Sequence, residues 1–144
     1  MTTKFERQGA ILQRLEGHAE GEPVIADGQL TYEGGYAAAL QVMDGATPPD
    51  SLICLTDIMA MGAMDAIRHE LKLRVPEDVA VIGFDDIPEA AYASYRLTTV
   101  RTPVRQMIRH MMALIARDAA QDEPRTIVID AELVVRGSSR PVLT

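Results

Sequence analysis

The sequence predicts a three-layer α/β fold with a mainly parallel sheet. Two runs, SLICL at 51–55 and VAVIGF at 79–84, are apolar at nearly every position, as strands covered on both faces are. Segments with helical apolar spacing alternate with them, the pattern that places helices on a parallel sheet. The 144 residues, 47% apolar and 24% charged, have the length and balance of one soluble globular domain.

The elements follow in order. Residues 3–16 read as a helix with Phe5, Leu12 and Leu15 on one face and Gly17 as its stop. After the loop HAEGE, the apolar run PVIADG at 23–28 is the first strand candidate. Thr31 is placed to cap a helix in which Tyr32, Tyr36, Leu40 and Met43 recur at helical spacing. DGATPPD is a loop by its Gly and Pro content. The run at 51–55 ends at Thr56 and Asp57, either of which can cap a helix over 58–71. RVPED at 74–78 is a turn, and VAVIGF is the strongest strand, stopped by Asp85 and Asp86. LTTVRT at 97–102 alternates and is β-branched, so it is a strand. Thr102 and Pro103 open a helix over 104–120, and residues 126–139 hold one bent strand or two.

Several function classes drop out. There are 14 Lys and Arg against 21 Asp and Glu, a net charge of −7, whereas a domain that neutralises phosphates is usually basic. This chain by itself is therefore expected not to bind nucleic acid. There is no apolar stretch of spanning length, so no membrane association is expected. The charged N-terminus is no secretory signal, and the single Cys54 suits a reducing cytoplasm. Nucleophile-elbow and phosphate-loop motifs are missing, and His18, His69 and His110 stand apart, so neither catalysis nor a metal or other cofactor is expected. Cys54, inside an apolar run, reads as a buried structural thiol.

The acidic pair is the candidate site. In open α/β sheets ligands sit outside the carboxyl ends of strands, where Asp85 and Asp86 fall. A carboxylate there accepts two hydrogen bonds from sugar hydroxyls or one from an amine. The competing reading is a cap for a short helix near residues 88–91. The helix IMAMGAMDAIRHEL is apolar around much of its circumference near its start, so a face left by the sheet needs another cover. Gly62 permits close backbone approach, and a methionine-rich face suits a subunit interface; packing between the sheet and neighbouring loops is the alternative.

The stretch from Ser51 to Arg105, and above all RVPEDVAVIGFDD followed by LTTV and Pro103, closely resembles the lactose-repressor/galactose-repressor family of bacterial transcription regulators. ELVVRGSSRP and TYEGGYAAAL resemble further parts of that family, so the likeness covers essentially the whole chain. It implies the C-terminal part of an effector-binding core similar to periplasmic sugar-binding proteins, in which a ligand lies between two α/β subdomains. On that pattern residues 1–101 and 125–144 form the subdomain core and 102–121 the crossover helix. The helix-turn-helix headpiece, the other subdomain and one strand would be absent from this chain, making it a fragment. That strand belongs between PVIADG and SLICL, so its gap should close by direct pairing of those two segments or by a strand from a neighbouring chain. The crossover helix, deprived of its cover, should pack on another copy or on its own sheet.

The resemblance also implies site residues. Asp85 matches the effector-binding carboxylate. Thr56 stands where an Asn contacts effector, Leu30 where an aromatic stacks, and Thr102 where Gln is common at the crossover. Glu6 stands where an Arg sits three residues before the helix glycine, here Gly9, and Arg7 beside it should point elsewhere. Glu for Arg would disfavour an acidic effector. The methionine helix would pack against its twin, placing Ile58, Met59, Met61 and Met64 in a homodimer interface. The expected function is binding of a small, sugar-like effector within a regulator that reaches operator DNA only through the headpiece. A stand-alone solute-binding domain is the second reading, and a sugar-acting enzyme using Asp85 and Asp86 the third.

Overall fold

The structure, a computed structural model, describes residues 2–16, 22–116 and 127–140. Gly17, His18 and the expected helical residues 117–120 lie outside the described residues. The chain opens with helix α1 (Thr2–Leu15) and helix α2 (Tyr32–Met43). The Thr31 hydroxyl caps α2 by accepting from the Gly34 amide at 3.0 Å. Strand β1 (Ser51–Ile53) leads to helix α3 (Asp57–Asp65), which widens into a π-type turn over Ala66–Glu70. Strand β2 (Ala80–Asp85), a short 3₁₀ turn (Pro88–Ala91) and strand β3 (Thr98–Arg101) follow. Helix α4 (Val104–Ile115) and strand β4 (Glu132–Val134) complete the order.

The four strands form one sheet in the order β1-β2-β3-β4. β1, β2 and β3 are parallel, with Ser51 opposite Ala80 and Ile82 opposite Thr98, and β4 runs antiparallel to β3 with Leu133 opposite Val100. The expected mainly parallel α/β sheet is what forms. Opposed residues share a face, so Leu52, Val81, Gly83 and Thr99 lie together on the side toward α3. Here sits the core: Met64, Ile67, Val79, Val81 and Leu97 are buried. The other face carries Ile53, Ile82, Phe84, Val100 and Leu133, and α1 reaches it where Arg7 lies over the Phe84 ring.

The methionine-rich helix overturns one expectation. Met59, Met61 and Met64 are 8%, 5% and 0% exposed, inside this chain's own core. Their cover is α2, which crosses α3 at two glycines. A Cβ on Gly35 would collide with the Met59 backbone, and one on Gly62 with the Tyr32 carbonyl. Close approach at Gly62 therefore serves a helix of the same chain, and of the four proposed interface residues only Ile58 stays exposed.

Two further expectations need correction. Residues 23–28 form no strand: the segment is irregular, and Val24 and Ile25 are 67% and 59% exposed. Among the described residues β1 pairs only with β2, so PVIADG does not close the sheet at SLICL. Among the described residues of the C-terminal run expected at 126–139, only Glu132–Val134 forms a strand. Helix α4 forms where expected, but all of it is exposed, with Ile108, Met111 and Ile115 presenting apolar surface, so it does not fold back on its own sheet.

Cys54 sits behind the end of β1, and its thiol is pushed up to about 12 by burial and then by the Asp57 charge. The folded chain should accordingly resist a thiol-specific reagent at pH 8 that modifies the denatured chain within minutes. Prompt stoichiometric modification of the native protein would contradict this burial.

Candidate functional site at the carboxyl ends of the strands

The carboxyl ends of β1, β2 and β3 bring together Leu55, Thr56, Asp85, Asp86, Arg101 and Thr102. Asp85 ends β2 with its side chain one third exposed. The Arg7 guanidinium, delivered from α1, donates to Asp85 Oδ1 at 3.0 Å and to the Leu55 carbonyl at 2.9 Å. It also stacks on Phe84, 3.9 Å from the ring centroid. The Thr102 hydroxyl lies 3.4 Å from the same Asp85 oxygen.

Arg7 corrects the reading of this helix. Glu6 is exposed, and Arg7 is the residue turned toward the carboxylate. Successive residues on an α-helix point about 100° apart, so anchoring the register on Gly9 selected the wrong neighbour. The site thus holds a cation opposite Asp85, and the charge reversal inferred from Glu6 does not arise. Thr56 spends its hydroxyl on capping α3, accepting from the Met59 amide at 3.3 Å. Leu30 lies on the Gln29–Leu30 turn before α2 at a φ of 57°, with an exposed side chain. The structure therefore gathers Asp85, Thr102 and Thr56 at one sheet edge, adds Arg7, and leaves Glu6 facing solvent.

Asp86 has a different task from Asp85. Its side chain is nearly buried and bonds Arg101 Nε and an Arg136 terminal nitrogen, each at 2.6 Å. Burial opposes ionisation, but the hydrogen bonds from the two arginines overcome it and hold the Asp86 carboxyl below the ordinary range. Arg101 continues to Glu132 on β4 at 2.7 Å, and Arg136 to the Leu97 carbonyl at 2.8 Å. The sequence marks these arginines only as members of two strand candidates, 97–102 and 126–139. Neither aspartate caps the 3₁₀ turn: Ile87 holds that position, without a side-chain bond. Among the described residues no three His, Cys, Asp or Glu side chains gather at metal-binding distance, and no helix is long and apolar enough to cross a membrane.

The open, mainly parallel sheet carries a carboxylate, a guanidinium and hydroxyls at its carboxyl edge, the place where α/β domains of this architecture hold small ligands. The comparisons agree. Residues 3–139 match the family described as periplasmic binding protein-like domain. The chain is 36% identical over 119 residues to the transcriptional repressor CytR of Escherichia coli K12, covering 81% of this chain and 34% of that one. It is 33% identical over 140 residues to the transcriptional regulator CelR of Thermobifida fusca, covering 90% and 41%. Among solved structures, a LacI-type transcription regulator from Bifidobacterium animalis superposes with a TM-score of 0.81 at 33% identity, covering 96% of this chain and 51% of that one. A CelR–cellobiose complex does so with a TM-score of 0.79 at 32% identity, covering 93% and 42%. The chain belongs to the periplasmic binding protein-like domain family, in the form that LacI-type regulators carry. It spans 34% of the length of CytR and 41% of that of CelR.

Proposed function

We propose that this chain is the effector-sensing part of a LacI-type transcription regulator, and that it binds a small polyhydroxylated molecule of the sugar class. The observation that carries this reading is the Asp85 carboxylate, partly open at the carboxyl end of β2 and faced by Arg7 and Thr102. Asp85 can accept from two neighbouring hydroxyls while Arg7 donates to a third or to a ring oxygen. A stand-alone solute-binding domain has the same fold, but the named relatives are transcription regulators. The domain works by binding alone. It would couple to operator DNA through a separate DNA-reading part, in the cytoplasm, and through a homodimer to which Ile58 is available. Effector would act by favouring one of two domain arrangements.

The test is Asp85→Asn in a regulator carrying this domain, titrated calorimetrically with cellobiose and a panel of mono- and disaccharides. Affinity for whichever sugar binds should fall at least about tenfold, because a charge-assisted bond is lost, while the thermal midpoint stays put. An unchanged titration would remove Asp85 from the site.

A further inference from the structure

Asp85 and Asp86 are consecutive residues with positive φ, 115° and 57°. Asp tolerates the second value, but the first is one glycine adopts readily and a residue with a Cβ does not. Such a turn persists only where its surroundings hold it. The side clamp is Asp86 between Arg101 and Arg136. Beneath the turn lies Asp57, the first residue of α3, 1% exposed. Its Oδ2 accepts from the Ile87 amide at 2.9 Å, and its Oδ1 from the Thr99 hydroxyl of β3. Gly83 makes room for it, since a Cβ there would collide with Asp57 Oδ1. Burial raises the Asp57 carboxyl above its ordinary range against these hydrogen bonds, so the group is retained at a cost that solvation would not impose.

We infer that Asp57 is a positioning residue for Asp85: its buried carboxyl ties the start of α3 to β3 and to the turn after β2, and so keeps the Asp85 carboxylate facing Arg7. The inference rests on Asp85 being the ligand-binding carboxylate. Asp57 itself lies beneath the turn, with 1% of its surface exposed, and acts through backbone geometry.

Nuclear magnetic resonance on the 144-residue chain tests it, without ligand. In Asp57→Ala, the Ile87 amide should exchange about tenfold faster. The Asp85 carboxyl carbon resonance should move toward its position in Arg7→Ala. Asp57→Asn keeps the size and an acceptor for Ile87, and should restore both readouts most of the way. A merely structural role lowers the thermal midpoint of Asp57→Ala but leaves the Asp85 resonance at its wild-type position, and that result overturns the inference. If Asp57→Ala does not fold, Thr99→Val carries the same test, because it removes one of the two anchoring bonds with little change of shape. Faster Ile87 exchange with a moved Asp85 resonance supports positioning, and an unmoved resonance overturns it. The sugar reading stands or falls separately, on the Asp85→Asn titration.

Discussion

Met61→Asp is expected to abolish the native fold. Met61 is 5% exposed, enclosed by the α2 crossing at Gly35 and Gly62 and by the core beneath α3. A carboxylate placed there has no partner, and burying one uncompensated costs more than about 4 kcal/mol, a large part of the roughly 5–15 kcal/mol that holds a domain together. Circular dichroism should show an unfolded chain at 25 °C. Ile58→Asp, at an exposed position one turn away, should keep the native spectrum and shift the thermal midpoint little. A folded Met61→Asp protein altered only in its association state would return these methionines to an interface.

The second large effect is on association. Every residue of α4 is exposed, and Ile108, Met111, Met112 and Ile115 make it an apolar surface with no cover among the described residues. Contiguous surface of this kind is rarely left in water by a soluble monomer. Among the described residues nothing covers α4, so for the 144-residue chain in solution a second copy is the expected cover. Each large side chain buried in such a contact contributes about 1.5–3 kcal/mol. Sedimentation at micromolar concentration should therefore give a dimer or larger species, and the triple variant Ile108→Glu, Met111→Glu, Ile115→Glu should be monomeric with its fold intact. A monodisperse wild-type monomer would show that the surface is tolerated as it stands.

The sheet was legible where strands are buried and apolar throughout. VAVIGF and SLICL are recognisable without knowledge of their neighbours, because a strand covered on both faces shows its environment in its composition. PVIADG has similar composition and forms no strand, because pairing needs an adjacent edge and hydropathy does not record one. The methionine helix fails for a related reason. Its apolar circumference was plain, but the identity of its cover depends on α2 and α3 crossing closely at Gly35 and Gly62, 27 positions apart, and spacing within one helix is blind to that. At the site, Asp85 was legible from its place after a strong strand. Arg7 was not, because a one-residue choice of helical register turns a side chain from the Asp85 carboxylate to solvent. Asp57 was visible only as a possible cap, since its partners Ile87 and Thr99 lie 30 and 42 positions away.

The order of the strands has a consequence for how the chain acquires its structure. Among the described residues each strand pairs only with its neighbours in sequence. None of the described strands has to insert between two already joined. The sheet can be laid down progressively during synthesis, β2 docking on β1 once it has emerged behind α3, then β3, while a ribosome is still adding residues. β4 is the exception, because the chain first makes the excursion through α4 and only then returns antiparallel. Until that return, Arg101 lacks Glu132 and Asp86 lacks Arg136. The turn after β2 therefore gains its full set of side-chain bonds only when the C-terminal segment arrives.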